Sequence, residues 1–156
     1  MASSKRSGRF SALIFLDLDK FKPLNDVHGH SVGDLLLIEV ANRISRCVRE
    51  VDIVARFGGD EFVVILSELE GDKTRSTTEA GIVSEKIRAI LDRPYMLKFK
   101  QDGDAESTIE HHCTSSIGVV LFANHEAGPE EIIKRADTAM YQAKEAGGNS
   151  IRFFGS

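Results

Sequence analysis

Residues 10–18, Phe-Ser-Ala-Leu-Ile-Phe-Leu-Asp-Leu, constrain the fold more than any other segment of this chain. The run is almost continuously apolar, so neither of its faces can be left to water. A strand covered on both sides meets that demand, which calls for a sheet with packed layers on each face. Asp17 and Asp19 stand where the run ends and set two carboxylates at the mouth of the next loop.

The rest of the chain supplies the layers. Ser31 opens a helix, with Asp34 three residues later in a near capping-box arrangement. Leu36, Val40, Ile44 and Cys47 recur on one stripe, so the helix is expected to reach Val48 or Arg49. Val51–Phe57 and Phe62–Leu66 are β-rich runs separated by Gly58, Gly59, Asp60 and Glu61. Adjacent glycines between such runs predict a tight hairpin with φ > 0 at one or both central positions, and with two carboxylates at its tip. Residues 68–77 are polar and read as a loop. The next helix carries Ile82, Val83, Ile87, Ile90 and Leu91 on one side and ends before Pro94. Tyr95–Phe99 reads as a short strand, 101–106 as a hairpin loop, and Cys113–Phe122 as a strand containing Gly118. Gly128 and Pro129 introduce a last helix with Ile132, Ile133, Ala136, Met140 and Ala143 inward, stopped by Gly147 and Gly148. Ile151–Phe154 is a final strand. The order β-α-β-β-α-β-β-α-β is an α+β fold: an antiparallel-rich sheet flanked by helices, related to the split βαβ motif.

Composition narrows the function. With 156 residues, 42% hydrophobic and 28% charged, the chain suits one globular domain over residues 9–156, preceded by a polar leader at 1–8 that lacks a signal-peptide core. The net charge of -4 gives no basic footprint for nucleic acid, which also counts against a ferredoxin-like RNA binder. No apolar run approaches the ~20 residues that span a bilayer, so no membrane contact is expected of this domain. Cys47 and Cys113 form no CxxC pair and fit a reducing, cytoplasmic setting, although a larger parent protein could be membrane-anchored.

Several residues could carry chemistry. Asp60 and Glu61 are neighbours and point to opposite faces, so one of them needs a partner from elsewhere; Asp17 qualifies if the two strands adjoin. Carboxylates with a backbone carbonyl make a hard, open site of the kind magnesium uses when phosphates complete its shell. There is no Walker A sequence, which leaves phosphate to cations such as Lys20, Lys22 and Lys144. Asn25, His30 and Asp34 form a polar set that could read a guanine edge, or could simply make a turn and a helix cap. Arg49 and Asp52 could grip a phosphate or form a local ion pair. His111, His112 and Cys113 alternate faces on a strand and cannot share one metal ion.

Together these residues resemble the GGDEF domains, the diguanylate cyclases. Arg56-Phe57-Gly58-Gly59-Asp60-Glu61-Phe62 resembles the family signature. Asp17–Asp26 with Gly29-His30 and Gly33-Asp34, then Ser115–Val119, then Ala136–Lys144, match further family blocks in order. The resemblance implies a fold like nucleotidyl cyclases and polymerase palms. It also implies condensation of two GTP into cyclic di-GMP with release of two pyrophosphates, in an antiparallel homodimer using Mg2+ or Mn2+, two per site. By position, Asp17, the Leu18 carbonyl and Asp60 resemble the metal ligands, and Asp60 or Glu61 the group that helps deprotonate the 3′-hydroxyl. Asn25 and Asp34 resemble the guanine-reading pair with His30 nearby, and Phe21, Lys22 and Lys144 the phosphate contacts. Arg49 and Asp52 match the RxxD site for inhibitory product, with Arg88 as a second arginine. Sensor or phosphodiesterase domains are expected in the parent chain. One departure stands out: the family usually has Gly-Arg-Asn after the last helix, and here the residues are Gly147-Gly148-Asn149. Loss of one charge-assisted hydrogen bond costs about 1.5–3 kcal/mol. That leaves an alternative open, a weak or inactive domain that binds GTP or cyclic di-GMP and regulates its neighbour.

Overall fold

The computed structural model describes residues 9–21, 30–101, 105–123 and 127–155, with His30 and Gln101 as backbone. The leader at 1–8, Lys22 and Asn25 lie outside the described residues.

Phe10–Leu18 forms β1 at the centre of a five-stranded sheet. The elements that follow are α1 (His30–Ser45), β2 (Ile53–Gly58), β3 (Glu61–Leu69), α2 (Lys73–Leu91), β4 (Tyr95–Gln101), β5 (Ala105–His111), β6 (Ser115–Phe122), α3 (Pro129–Glu145) and β7 (Ser150–Phe153). The sheet order is β2-β3-β1-β6-β7, and β4-β5 forms a separate two-stranded ribbon. Every pairing is antiparallel except β6 with β7.

Alternation along β1 sorts the two layers. Ala12, Ile14, Leu16 and Leu18 face a large core with Leu36, Val40 and Ile44 of α1 and Ala80, Ile87 and Leu91 of α2. Leu13 and Phe15 face the other way, into a smaller core with Val63, Val120 and Ile132, Ala136 and Met140 of α3. Gly118 lets α3 approach the sheet closely: a Cβ there would lie 2.1 Å from the Ala136 carbonyl oxygen and 2.3 Å from the Met140 nitrogen.

Several sequence expectations need correction. α1 ends at Ser45, short of Val48, because the Cys47 amide tightens onto the Ile44 carbonyl (2.9 Å) and the Asp52 carboxylate then captures the Arg49 amide (2.8 Å). The 68–77 segment is not all loop: β3 runs to Leu69, and Asp72 caps α2 by accepting from the Arg75 amide at 2.9 Å. The hydroxyls that gave this stretch its loop-like composition are satisfied within the helix, Thr77 Oγ1 donating to the Lys73 carbonyl at 2.7 Å. Strand β5 was not expected. Its sequence, Ala-Glu-Ser-Thr-Ile-Glu-His, is mostly polar, and its cross-strand partner is β4 rather than the main sheet. Finally, neither Gly58 nor Gly59 has positive φ. The hairpin closes instead through a register shift between Arg56 and Gly58.

Candidate active site

The acidic site grows out of strand pairing. β1 runs beside β3 with Asp17 opposite Glu61, and the Leu18 amide donates to the Asp60 carbonyl at 3.2 Å. This register carries the hairpin tip to the end of β1, and the Asp17 and Asp60 carboxyl groups are in hydrogen-bond contact. Burial, then the bond to Asp60 and the charge of Asp60, push the Asp17 carboxyl up to about 7, while Lys144 opposes the rise. One oxygen, Asp17 Oδ1, is buried with no hydrogen-bond partner. Two adjacent carboxyls, one of them with a buried and orphaned oxygen, fit a divalent cation, which would take up the free lone pairs. Among the described residues no three His, Cys, Asp or Glu side chains converge as a ready ligand set. The donor set that fits is this carboxyl pair, with the rest of the shell left to other ligands.

Glu61 stands beside the pair. Burial, followed by the charges of Asp137 on α3 and of Asp60, raises its carboxyl above the ordinary range. Its Oε1 would be 2.7 Å from a Cβ on Gly58, so the first tip glycine makes room for this carboxylate. Gly59 meets nothing within 4 Å. Arg56 braces the tip by donating to the Gly58 and Gly59 carbonyls at 3.3 and 3.0 Å.

Lys144, near the end of α3, lies 3.6 Å from Asp17 Oδ2 and 3.2 Å from Asp19 Oδ1. Asp19, to which the sequence reading gave no task, also accepts from Thr114 Oγ1 (2.6 Å), Ser116 Oγ (2.7 Å) and the Asn149 amide (3.0 Å). Those bonds outweigh its desolvation and hold its carboxyl below the usual range. The chain leaves β1 through a left-handed residue, Lys20 (φ 60), and the Phe21 side chain packs on the large core. Any phosphate contact at Phe21 is therefore left to its backbone.

Asp34 is exposed on α1 and lines a groove of about 440 Å³ with Leu37, Ile38, Val54 and Arg56. This groove runs from the first turns of α1 to Arg56 and Phe62 on the hairpin strands. The backbone of His30 begins α1, and Asn25 lies outside the described residues.

Arg49 and Asp52 form a separate cluster. The guanidinium donates to Asp52 at 3.0 and 3.2 Å and to the Ser67 carbonyl, and the Ser67 amide donates to Asp52 at 3.2 Å. The local ion pair is thus present and ties the α1 exit to β3. Arg49, Asp52, Glu79 and Lys86 line a hollow of about 260 Å³. Arg88 is not brought to it. Two residues past Lys86 places it about 200° around the helix, where it binds Glu85 (2.8 Å) and Asn149 Oδ1 (2.8 Å). Lys86 is the cation beside Arg49 that the sequence reading missed; its spacing from Glu79 and Ile82 on one helical face is the signal that finds it.

The sequence profile described as "Diguanylate cyclase, GGDEF domain" matches residues 1–150. The chain belongs to the GGDEF family. Among curated relatives, the bifunctional diguanylate cyclase/cyclic di-GMP phosphodiesterase MucR of Pseudomonas aeruginosa is 40% identical over 151 residues, which is 97% of this chain and 20% of that protein. The GGDEF domain thus spans about a fifth of that relative's length. The crystal structure of the GGDEF domain of TpbB from Pseudomonas aeruginosa superposes with TM-score 0.83 at 34% identity, covering 99% of this chain and 88% of the other. The GGDEF domain of DgcB from Caulobacter crescentus, solved in complex with c-di-GMP, gives TM-score 0.81 at 28% identity and covers 99% of this chain and 84% of the other. Among the described residues of the GGDEF domain, no helix is long and apolar enough to cross a membrane.

Proposed function

We propose that this GGDEF domain condenses two GTP molecules into cyclic di-GMP, releasing two pyrophosphates, as a homodimer in which each copy presents one GTP to the other. The observation that carries the reading is the contact of Asp17 with Asp60, two carboxyls delivered from different strands, with Asp17 Oδ1 buried and unpartnered. Asp17, Asp60 and the Leu18 carbonyl would hold Mg2+ or Mn2+, two ions per site with the triphosphate, and such ions neutralise phosphate charge and acidify the attacking hydroxyl.

The chain's own groups complete the reaction. A ribose 3′-oxygen bonds to the α-phosphorus of the facing GTP, the bond from that phosphorus to the bridging oxygen breaks, and pyrophosphate leaves with the electron pair. Glu61, whose carboxyl is raised by burial and by the charges of Asp137 and Asp60, or Asp60 takes the hydroxyl proton. Lys144 and Lys22 stabilise the triphosphate, and Phe21 contributes through its backbone. Asp34 reads the guanine with Asn25, His30 lies nearby, and the exposed Ile38 gives the groove an apolar wall for the base. Gly59, with open space where a side chain would be, leaves the substrate room to approach the tip. Product binds at Arg49 and Asp52, with Lys86 rather than Arg88 as the accompanying cation, and slows turnover. In the parent protein, sensor or phosphodiesterase domains bring two copies together.

Incubating a forced dimer with GTP and Mg2+ and separating the products tests this: cyclic di-GMP is expected, and bound but unconverted GTP would refute it. One observation favours a second reading, a regulatory nucleotide-binding domain. Gly148 offers no cation, and at φ +76 with Asp19 Oδ2 2.8 Å from a Cβ it has no ready room for one. Moreover, a relative 40% identical over 147 residues, NbdA of Pseudomonas aeruginosa, is named as a phosphodiesterase alone. The same assay separates the two readings.

A further inference from the structure

Four donors from four places converge on the Asp19 carboxylate. Thr114 precedes β6, Ser116 lies on it, Lys144 is near the end of α3, and the Asn149 amide follows that helix. Three of them are fixed, being a backbone amide and two short hydroxyl side chains. The fourth, Lys144, is long and adjustable. It sits between two carboxylates, one near the end of β1 and one just past it, 3.2 Å from Asp19 and 3.6 Å from Asp17. Nothing in the proposed chemistry uses Asp19 directly.

We infer that Asp19 is a positioning residue, whose work is to hold the Lys144 ammonium at the border of the Asp17–Asp60 pair and keep it from closing onto Asp17. The purpose of this arrangement rests on the cyclase reading. A lysine fully paired with Asp17 is a resident cation on the carboxylate a divalent ion would use. Held by Asp19, it leaves Asp17 available and remains free to swing to a triphosphate. A purely structural Asp19, stapling β1 to β6 and α3, has a different signature: its loss lowers stability without linking cation binding to Lys144.

A double-mutant cycle read by Mn2+ alone, with free Mn2+ measured by electron paramagnetic resonance, separates these. Asp19→Asn keeps the shape: with its oxygen in the Oδ2 place it still accepts from the Asn149 amide and Thr114 Oγ1, and the Ser116 hydroxyl rotates to accept from the new amide NH2. The expected result is that Asp19→Asn lowers Mn2+ affinity about tenfold, that adding Lys144→Met recovers most of it, and that Lys144→Met alone changes it less than about threefold. Equal effects of Lys144→Met in both backgrounds, affinity in Asp19→Asn within about twofold of native, or no Mn2+ binding by the native domain each overturn the inference. Melting curves verify folding, and if Asp19→Asn does not fold, the cycle is run on Asp19→Ser with the same criteria. GTP conversion by the native dimer is followed separately. Its absence beside an intact Mn2+ coupling sinks the cyclase reading and leaves the positioning role standing.

Discussion

Substituting alanine at Gly118 tests whether packing and site geometry are one problem. The new Cβ would lie 2.1 Å from the Ala136 carbonyl oxygen, 2.3 Å from the Met140 nitrogen and 2.9 Å from its Cα. All three are helix backbone atoms, so no side chain can rotate away. Ordinary contact requires α3 to withdraw by about 1 Å or more. Withdrawal opens the small core at Leu13, Phe15 and Val120. Overpacking costs about 1–3 kcal/mol, and a clash with rigid backbone belongs at the upper end. For a domain of this size, about 3 kcal/mol lowers Tm by roughly 6–12 °C. The same helix carries Lys144 and Asp137 to the acidic site, so displacement moves both away from the ends of β1 and β3. The expected outcome of Gly118→Ala is a lower melting temperature together with a rise in the KM for GTP. Melting within about 2 °C of native would show that α3 does not rest on Gly118 as described.

Asp60→Ala is expected to abolish cyclic di-GMP formation while leaving the melting curve nearly unchanged, since the residue sits in a turn outside both cores; collapse of the fold would reassign it to structure. Gly59→Ala should fold normally, because its Cβ meets nothing within 4 Å and φ is not positive, yet lose GTP turnover; full turnover would remove the reason given for that glycine. Arg43→Met removes hydrogen bonds to the Ile90, Arg93 and Pro94 carbonyls at 2.7–2.8 Å and a cation stacked 3.7 Å over the Tyr95 ring. The expected loss is about 3 kcal/mol in denaturant unfolding, and a change below about 1 kcal/mol would mean water replaces the guanidinium without penalty. Lys86→Ala should raise the cyclic di-GMP concentration that halves turnover by about tenfold, whereas Arg88→Ala should not; the reverse ranking, read by product-inhibition assays, would restore the sequence-based choice of Arg88.

Elements with strong periodicity were readable from the sequence, and those whose form depends on partners were not. Residues 10–18 announced a central strand because nine successive positions needed cover on both faces. Pro129 and the two glycines after α3 marked its ends by backbone preference alone. By contrast, Ala105–His111 offers only Ile109 to the core, and it is a strand because β4 supplies its hydrogen bonds. The paired glycines at 58 and 59 suggested left-handed turn residues, but their use lies in space: Gly58 clears Glu61 and Gly59 leaves the surface open. At the site, Asp17, Asp60 and Lys144 were singled out by their chemistry before the resemblance gave them roles, and the proximity of Asp17 to Asp60 follows from register. Asp19 was passed over because an acid at a strand end looks solvated until its four donors are brought from distant parts of the chain. Arg88 was named from the resemblance, and helical phase instead puts Lys86 on the face that lines the hollow with Arg49.

Register is also what makes the acidic pair dependable. Side chains on a strand alternate with period two, so slipping β1 by one residue against β3 would exchange its two faces. Asp17 would then turn toward Leu36, Val40 and Ile87, and Leu18 would take its place beside Asp60. Burying a carboxylate in that apolar core without a partner costs several kcal/mol at least, and Phe15 would lose its place in the smaller core against α3. Both cores therefore resist the slip. The alternation of Leu13 and Phe15 with Ile14 and Leu16 fixes where Asp17 stands, and the pairing of β3 fixes where Asp60 meets it. An acidic pair with an orphaned oxygen is unstable on its own account; it is held by packing energy supplied on both faces of the same strand.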